Sequence, residues 1–367
     1  MKILFDHQIY NDKNYGGISR YFYELSKGLT SFGIDVENTI RFSENEFIKD
    51  SSYFNASEFI SFQFKGRGRI KKYLNQKISE RIIKNGNFDI FHPTYYDTYF
   101  IKSELNKRPL VVTFHDLIHE KFSDRFPKTL TNINNVIADR KMLLSMASKV
   151  IAVSHHTKKD IIDYYHVDER KIEVIHLANS LSPTNLTKDT SLGNFILFVG
   201  VRESYKNFTT FLKAVSSLLV KERTLKVISA GGGRFTDDET KLIKDLNIDG
   251  QVIQISINDN ILSQLYYNAV LFIFPSLYEG FGIPVLEAFS CGCPSILSNT
   301  SSLPEVGGDA ALYVNPEDES DILNKVEQLY YNSDLREDYR QRGFFQVKKF
   351  SWHETSKKTL EVYQSVI

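Results

Sequence analysis

The sequence predicts an α/β protein with two doubly wound, mainly parallel sheets, and three observations predict it. Strand-like apolar runs alternate with helical patterns along most of the chain, which calls for parallel strands joined by crossover helices. A length of 367 residues suits two domains of ordinary size. The stretch Asn179 to Gly193 (NSLSPTNLTKDTSLG) is polar, contains proline and lacks periodicity, so it reads as a linker near the middle.

Taken in order, the chain opens on a strand at Ile3 to Phe5, followed by Gly16-Gly17 and a helix. That helix sets Ile18, Tyr21, Phe22, Leu25 and Leu29 on one stripe and ends at Gly33. Further strands are expected at Leu110 to Thr113, Val150 to Val153 and Ile172 to Ile175 in the first half. In the second half they fall at Phe195 to Val199, Leu225 to Ser229, Val252 to Ile255 and Leu271 to Phe274. Trp352 to Ile367 reads as a last helix. The expected domains are 1–180 and 193–350, with 351–367 as a C-terminal helix. Ligands of such sheets bind beyond the carboxyl ends of the strands, in a cleft the two domains would face.

The stretch from Leu271 to Gly292 is the most informative. An apolar strand is stopped by Pro275, and Pro284 has the preset φ of a first helical residue; Gly292 supplies the stop. The amides of Phe281, Gly282 and Ile283 at the positive end of that helix make an anion site suited to a diphosphate. Glu279 on the loop and Glu287 one turn inside the helix flank it, each able to accept hydrogen bonds from hydroxyls. A sugar nucleotide presents that set of groups. Glu-x7-Glu alone is common in solvent-facing positions, but the strand, glycine turn, proline start and glycine stop agree with the carboxylates independently.

Other constellations are sparser. Arg202 and Lys206 bracket the turn after Phe195 to Val199 and suit a diphosphate, although paired surface cations are common. Gly16 and Gly17 would let backbone approach a phosphate closely. His115 lies just past a strand end, where cleft residues belong. The string His115-Asp116-Leu117-Ile118-His119 has the histidine spacing of a zinc helix but no glutamate and no third ligand, so no metal is expected there. No Asp-x-Asp pair for a nucleotide-bound cation occurs, and neither Gly-x-Gly-x-x-Gly nor a Walker sequence is present; this counts against nicotinamide enzymes and NTPases.

Composition excludes more. Lysine plus arginine equals aspartate plus glutamate at 45 each, which argues against a nucleic-acid partner, and 42% hydrophobic with 25% charged residues is that of a globular chain. Cys291 and Cys293 are too few for a closed zinc site and read as packing residues. No apolar run is long enough for a secretion signal or membrane span, so the expected place is the cytoplasm. Between Lys65 and Lys84, eight cations (Lys65, Arg67, Arg69, Lys71, Lys72, Lys77, Arg81, Lys84) face one acid, Glu80. This segment could attract the anionic inner face of the membrane or a lipid-diphosphate acceptor, or form a solvated helix face.

These pieces in this order resemble the family 4 glycosyltransferases, retaining enzymes of the GT-B fold, over nearly the whole chain. The resemblance is strongest across Leu265 to Pro316, which is similar to the family's donor-site signature. Gly16-Gly17, Thr113 to Asp116, Ala152-Val153-Ser154, Arg202 with Lys206, Gly231-Gly232-Gly233 and Phe350-Ser351-Trp352 add to it. It implies that two Rossmann-like domains face a cleft and that the C-terminal helix crosses back to the first. It further implies Glu279 on donor-sugar hydroxyls, Phe281, Gly282 and Ile283 as amide donors, and Glu287 on the ribose. Arg202 and Lys206 would meet the departing β-phosphate, Gly17 would approach the diphosphate, and His115 would face the sugar near its 6-hydroxyl. Where relatives often carry Pro-Asn-Gly at the end of the first domain, this chain has Leu177-Ala178-Asn179-Ser180.

The expectation is a metal-independent, cofactor-free, retaining hexosyltransferase. It would move a sugar from a nucleoside diphosphate to a hydroxyl of a growing, free or lipid-linked, glycan in cell-surface polysaccharide synthesis. The opening Phe5-Asp6-His7-Gln8 with Tyr15 to Tyr21 resembles bacterial polysaccharide enzymes described as mannosyltransferases, so mannose from GDP-mannose is favoured. The alternatives are a sugar-nucleotide epimerase or hydrolase on the same fold, and a non-catalytic sugar-nucleotide-binding protein.

Overall fold

The structure is a computed structural model that describes residues 1–367 except 12–15, 50–53, 55, 58–63, 104–107, 124–132, 182, 184–185 and 203. Tyr15, Glu203 and part of the expected linker therefore lie outside the described residues. The chain divides into two compact units, one of Met1–Leu177 with Trp352–Ile367, the other of Ala178–Ser351.

In the first unit the strands are β1 (Lys2–Phe5), β2 (Asp35–Asn38), β3 (Ile90–His92), β4 (Val111–Phe114), β5 (Lys149–Ala152) and β6 (Ile172–Val174). They form two parallel three-stranded sheets, β2-β1-β3 and β4-β5-β6. A parallel bridge between Phe91 and Leu110 joins β3 to the segment entering β4. Leu4, Phe91, Val112, Phe114 and Val150 are buried in one cluster with Leu143 and Leu144 of the helix Ile133–Met146. On the helix Gly17–Ser31, Tyr21, Phe22, Leu25 and Leu29 are buried as the stripe predicts, while Ile18 is half-buried.

The helix Trp352–Gln364 belongs to this unit and packs on Gly17–Ser31. Its Tyr363 hydroxyl meets His92 Nδ1 at 2.7 Å, and the other nitrogen of His92 meets Thr113 Oγ1 at 2.9 Å, so a buried polar chain ties the helix to β3 and β4.

The second unit contains β7 (Phe195–Val199), β8 (Lys226–Ala230), β9 (Val252–Ile255), β10 (Leu271–Phe274), β11 (Ser295–Ser298) and β12 (Ala311–Val314), all parallel, in the order β12-β11-β10-β7-β8-β9. β7, β9 and β10 fall where their apolar runs predict. The helix Phe208–Lys221 buries Phe208, Phe211, Leu212, Val215, Leu218 and Leu219 against this sheet. Each fully buried side chain of this size contributes about 1.5–3 kcal/mol.

Strand order decides where a site can be. The chain starts in the middle of this sheet at β7, winds outward through β8 and β9, then returns to the other side of β7 at β10. The connections after β7 and β10 depart in opposite directions, leaving a crevice at their carboxyl ends. In the first unit β1 has β2 on one side and β3 on the other, which sets the equivalent position beyond β1 and β3. Among the described residues no helix is long and apolar enough to cross a membrane.

Candidate functional site

At the crevice of the second unit, the loop Pro275–Phe281 leaves β10 and the loop Gly200–Asn207 leaves β7. They are joined where Leu277 N donates to the Tyr205 carbonyl at 2.8 Å. Lys206 Nζ donates to Glu279 Oε1 at 2.6 Å, and both side chains are largely shielded, at 13% and 12% exposure. The ammonium also lies 4.9 Å from the centroid of Phe274 and 5.1 Å from that of Tyr205. A cation and a carboxylate, 73 residues apart in sequence, are thus fixed as a pair at the topological switch point.

The loop carrying Glu279 is held by three consecutive hydroxyls that the sequence reading missed. Ser302 Oγ donates to the carbonyls of Glu279 and Phe281 at 2.9 and 3.0 Å, Ser301 Oγ accepts from Glu279 N at 3.0 Å, and Thr300 Oγ1 donates to the Leu277 carbonyl at 3.2 Å. The only local signal was the run Thr300-Ser301-Ser302 just after β11. Such pinning fixes a charged side chain without using its carboxylate, which is what a binding site needs.

The helix begins at Ile283, one residue before the expected Pro284, and runs to Ser290. Its N-cap is Gly282 at φ 104°, with no side-chain cap, so no side chain competes for the first-turn amides. A Cβ on Gly282 would lie 2.9 Å from Leu303 Cδ2, and its φ disfavours any L side chain; both reasons require glycine. Gly292, at φ 69°, follows the cap at Cys291. Phe281 is buried and Ile283 half-buried beside this turn. Glu287 is 8% exposed, and the Tyr266 hydroxyl bridges its Oε2 at 3.3 Å and the Pro284 carbonyl at 3.2 Å. Tyr266 is fully buried, and it is a second group the sequence reading passed over.

Arg202 has other partners. Its Nε donates to Glu239 Oε1 at 2.7 Å, and its terminal nitrogens donate to the carbonyls of Gly231, Gly232, Gly233 and Arg234 at 2.9–3.4 Å. The side chain is 3% exposed. It therefore orders the Gly231–Gly233 loop, while Lys206, the other cation of that turn, meets Glu279. Glu239 is committed as well, since it forms a capping box with Thr236 on the helix Asp237–Asp245.

The remaining candidates, Gly16, Gly17 and His115, lie in the first unit. Gly16 caps its helix at φ −148°, which any residue can adopt, and both glycines are exposed. His115 is 9% exposed; its amide donates to the Tyr96 hydroxyl at 3.0 Å, and its buried Nε2 has no partner among the described residues. Burial, helped by the Arg140 charge and opposed by Asp116, lowers its pKa to about 4, so the imidazole is neutral near pH 7 and offers one uncommitted hydrogen-bonding atom. Arg140, 1% exposed, is held by Glu120 and by the Asp116 carbonyl and lies 4.1 Å from the Tyr96 ring centroid, which braces the loop under His115.

Comparison with known proteins adds to this geometry. Residues 15–178 match the family described as Glycosyltransferase Family 4, and residues 188–344 match Glycosyl transferases group 1. The chain is 28% identical to an O-antigen chain mannosyltransferase B of Escherichia coli, over 95% of this chain and 96% of that protein. It is 29% identical to the O-antigen chain mannosyltransferase RfbU of Salmonella typhimurium, over 68% and 67%. Among solved structures it is similar to Anabaena HepE in complex with UDP and glucose, at a TM-score of 0.78 and 16% identity, with all of both chains covered. That last likeness shows the fold, two Rossmann-like units of the GT-B class.

Proposed function

The chain belongs to the family 4 glycosyltransferases, and we propose that it moves mannose from GDP-mannose to a hydroxyl of a growing polysaccharide. The observation that carries this reading is the match along 95% of the chain to an O-antigen chain mannosyltransferase. In the proposal the donor diphosphate sits on the amides of Phe281, Gly282 and Ile283, Glu279 binds sugar hydroxyls and Glu287 binds the ribose. Lys206, already at the switch point, meets the β-phosphate. Arg202 joins it by exchanging Glu239 and the loop carbonyls for phosphate oxygens. Gly16 and Gly17 serve the diphosphate through backbone, and the neutral His115 offers Nε2 to a sugar hydroxyl.

Transfer proceeds with retention, by departure and attack on the same face, with the leaving phosphate taking the acceptor proton. Negative charge on that phosphate is met by lysine, arginine and helix amides without a divalent cation, so the protein's share is positioning and charge stabilisation. The acceptor is a glycan, free or lipid-linked.

The basic helix Arg67–Asn85 supports peripheral docking on anionic lipid. Arg69, Lys72, Lys77, Arg81 and Lys84 are exposed together with Ile70 and Tyr73, whereas Arg67 and Lys71 turn inward to Glu44. The test is transfer from labelled GDP-mannose to a mannose-containing acceptor, with and without EDTA, followed by determination of the anomeric configuration. Product of inverted configuration, loss of activity in EDTA, or transfer from UDP-glucose alone would each overturn the corresponding part.

A further inference from the structure

One side chain of the second crevice is anchored in the core rather than at the surface. Tyr266 sits on the helix Asp259–Asn268, which leads into β10, and its ring is fully buried, set edge-on against Phe272 of that strand at 5.3 Å and 83°. Packing thus fixes the ring, and its hydroxyl reaches across to the next helix, Ile283–Ser290. There one proton is offered to two acceptors, the Pro284 carbonyl at 3.2 Å and Glu287 Oε2 at 3.3 Å. Sharing accounts for both contacts exceeding the ~2.7–2.8 Å of an ordinary hydroxyl bond.

The two acceptors lie three residues apart on one helix, so a hydroxyl that meets both holds the Glu287 carboxylate over the first helical turn. That end of the helix carries the uncapped amides suited to a diphosphate, and in a nucleoside diphosphate the ribose is bonded directly to phosphate. The chemistry suits a carboxylate acceptor. Burial, reinforced by the charge of Glu287, pushes the Tyr266 hydroxyl well above the usual phenol range, so it keeps its proton and donates. Burial also raises the Cys291 thiol, one turn beyond Glu287, to about 11, so no thiolate charge stands beside the carboxylate near pH 7.

We propose that Tyr266 is a positioning residue of the donor site, one that sets its preference for a nucleotide with ribose hydroxyls by fixing the Glu287 carboxylate, an inference that rests on the reading that places Glu287 on the ribose. A carboxylate free to change rotamer must be ordered at the expense of binding, whereas one already held meets two vicinal hydroxyls at once. At 0% exposure Tyr266 acts through the carboxylate it holds and not on the nucleotide.

The test is isothermal titration calorimetry of the full chain with GDP and with 2′,3′-dideoxy-GDP, on the wild type, Glu287→Ala and Tyr266→Phe, the last of which removes one oxygen and keeps the ring. The wild type is expected to bind GDP at least tenfold more tightly than the dideoxy nucleotide, and Glu287→Ala to bind the two alike. Tyr266→Phe is expected to lose about tenfold in GDP affinity, one hydrogen bond to a charged group, with its affinity for dideoxy-GDP unchanged. A role in packing alone would lower both affinities together or neither, and either result overturns the proposal. If Tyr266→Phe fails to fold, the Glu287→Ala/Tyr266→Phe double variant replaces it. GDP affinity equal to that of Glu287→Ala supports action through the carboxylate, and a further loss overturns it. A wild type that binds both nucleotides alike, or a Glu287→Ala protein that still distinguishes them, overturns the placement of Glu287 on the ribose instead, and this inference with it. Binding of UDP in place of GDP overturns only the choice of base, and the same ratio is then read with UDP and 2′,3′-dideoxy-UDP.

Discussion

The two switch points of this molecule use carboxylates in opposite ways. Beyond β1 and β3, Asp6 is fully buried and consumed: it accepts from Thr94 N at 2.8 Å, Thr94 Oγ1 at 2.6 Å, Gln8 Nε2 at 2.7 Å and Tyr99 Oη at 3.2 Å. Beyond β7 and β10, Glu279 is pinned by its backbone, and its carboxylate meets a lysine. One fold position is locked by a satisfied charge; the other holds a charge pair that a ligand can enter and share. The difference teaches that sheet topology supplies the crevice, while side-chain satisfaction decides which carboxylates in it are structural and which can meet a ligand.

The largest expected effect tests the second crevice. Lys206→Ala and Glu279→Ala should each lower kcat/KM for mannosyl transfer by about 10²–10³-fold, the scale of losing one preorganised charge or donor. Urea unfolding should show a loss of ~1–3 kcal/mol with the fold retained, because a pair at 12–13% exposure lies between the exposed and fully buried limits. Folded variants with wild-type rates would remove Lys206 and Glu279 from the mechanism.

Asp6→Ala should show the reverse profile. Leaving Thr94 N–H and its neighbours unpaired should cost about 3 kcal/mol in urea unfolding, with GDP affinity retained. Loss of GDP binding in a folded Asp6→Ala protein would erase the contrast between the two crevices.

Acid should also separate the units, since all nine histidines of the sequence lie in the first. Burial lowers the pKa of His7, that of His92 to about 3 with help from His115, and that of His115 to about 4. Each is neutral when folded and takes a proton near pH 6.5 when unfolded, so protons favour the unfolded chain in that window. Stability of the first unit should therefore be complete above about pH 6.5 and fall steadily toward pH 4. Hydrogen exchange as a function of pH, resolved by segment, checks this; equal destabilisation of 195–314 across that window would contradict it.

The smallest effect sharpens the account of the loop. Ser301→Ala removes one acceptor for Glu279 N and should cost about 1 kcal/mol and raise the donor KM severalfold. An unchanged KM would mean that Ser302 and Thr300 suffice to hold the loop.

The β10–turn–helix stretch was legible because its signals are local. Pro275, Gly282, Pro284 and Gly292 each act on their own backbone, so sequence order suffices to place them. The polar strand Asp35–Asn38 at the sheet edge was not, because it lacks an apolar run. The Lys206–Glu279 pair depends on β7 and β10 being neighbours, which no local pattern carries. The Arg202–Glu239 contact was hidden for the same reason: Glu239, 37 residues on, reaches Arg202 only once β8 is laid beside β7. The burial of His7 between Ser79 and Tyr99 likewise depends on segments 72 and 92 residues away in sequence.

The central claim is that the donor is held at the switch point of β7 and β10, and hydrogen–deuterium exchange with and without GDP tests it most directly. The account predicts slowed exchange on GDP binding in residues 200–207 and 277–287, abolished by Lys206→Ala. Unchanged exchange in both segments while GDP is demonstrably bound would contradict it.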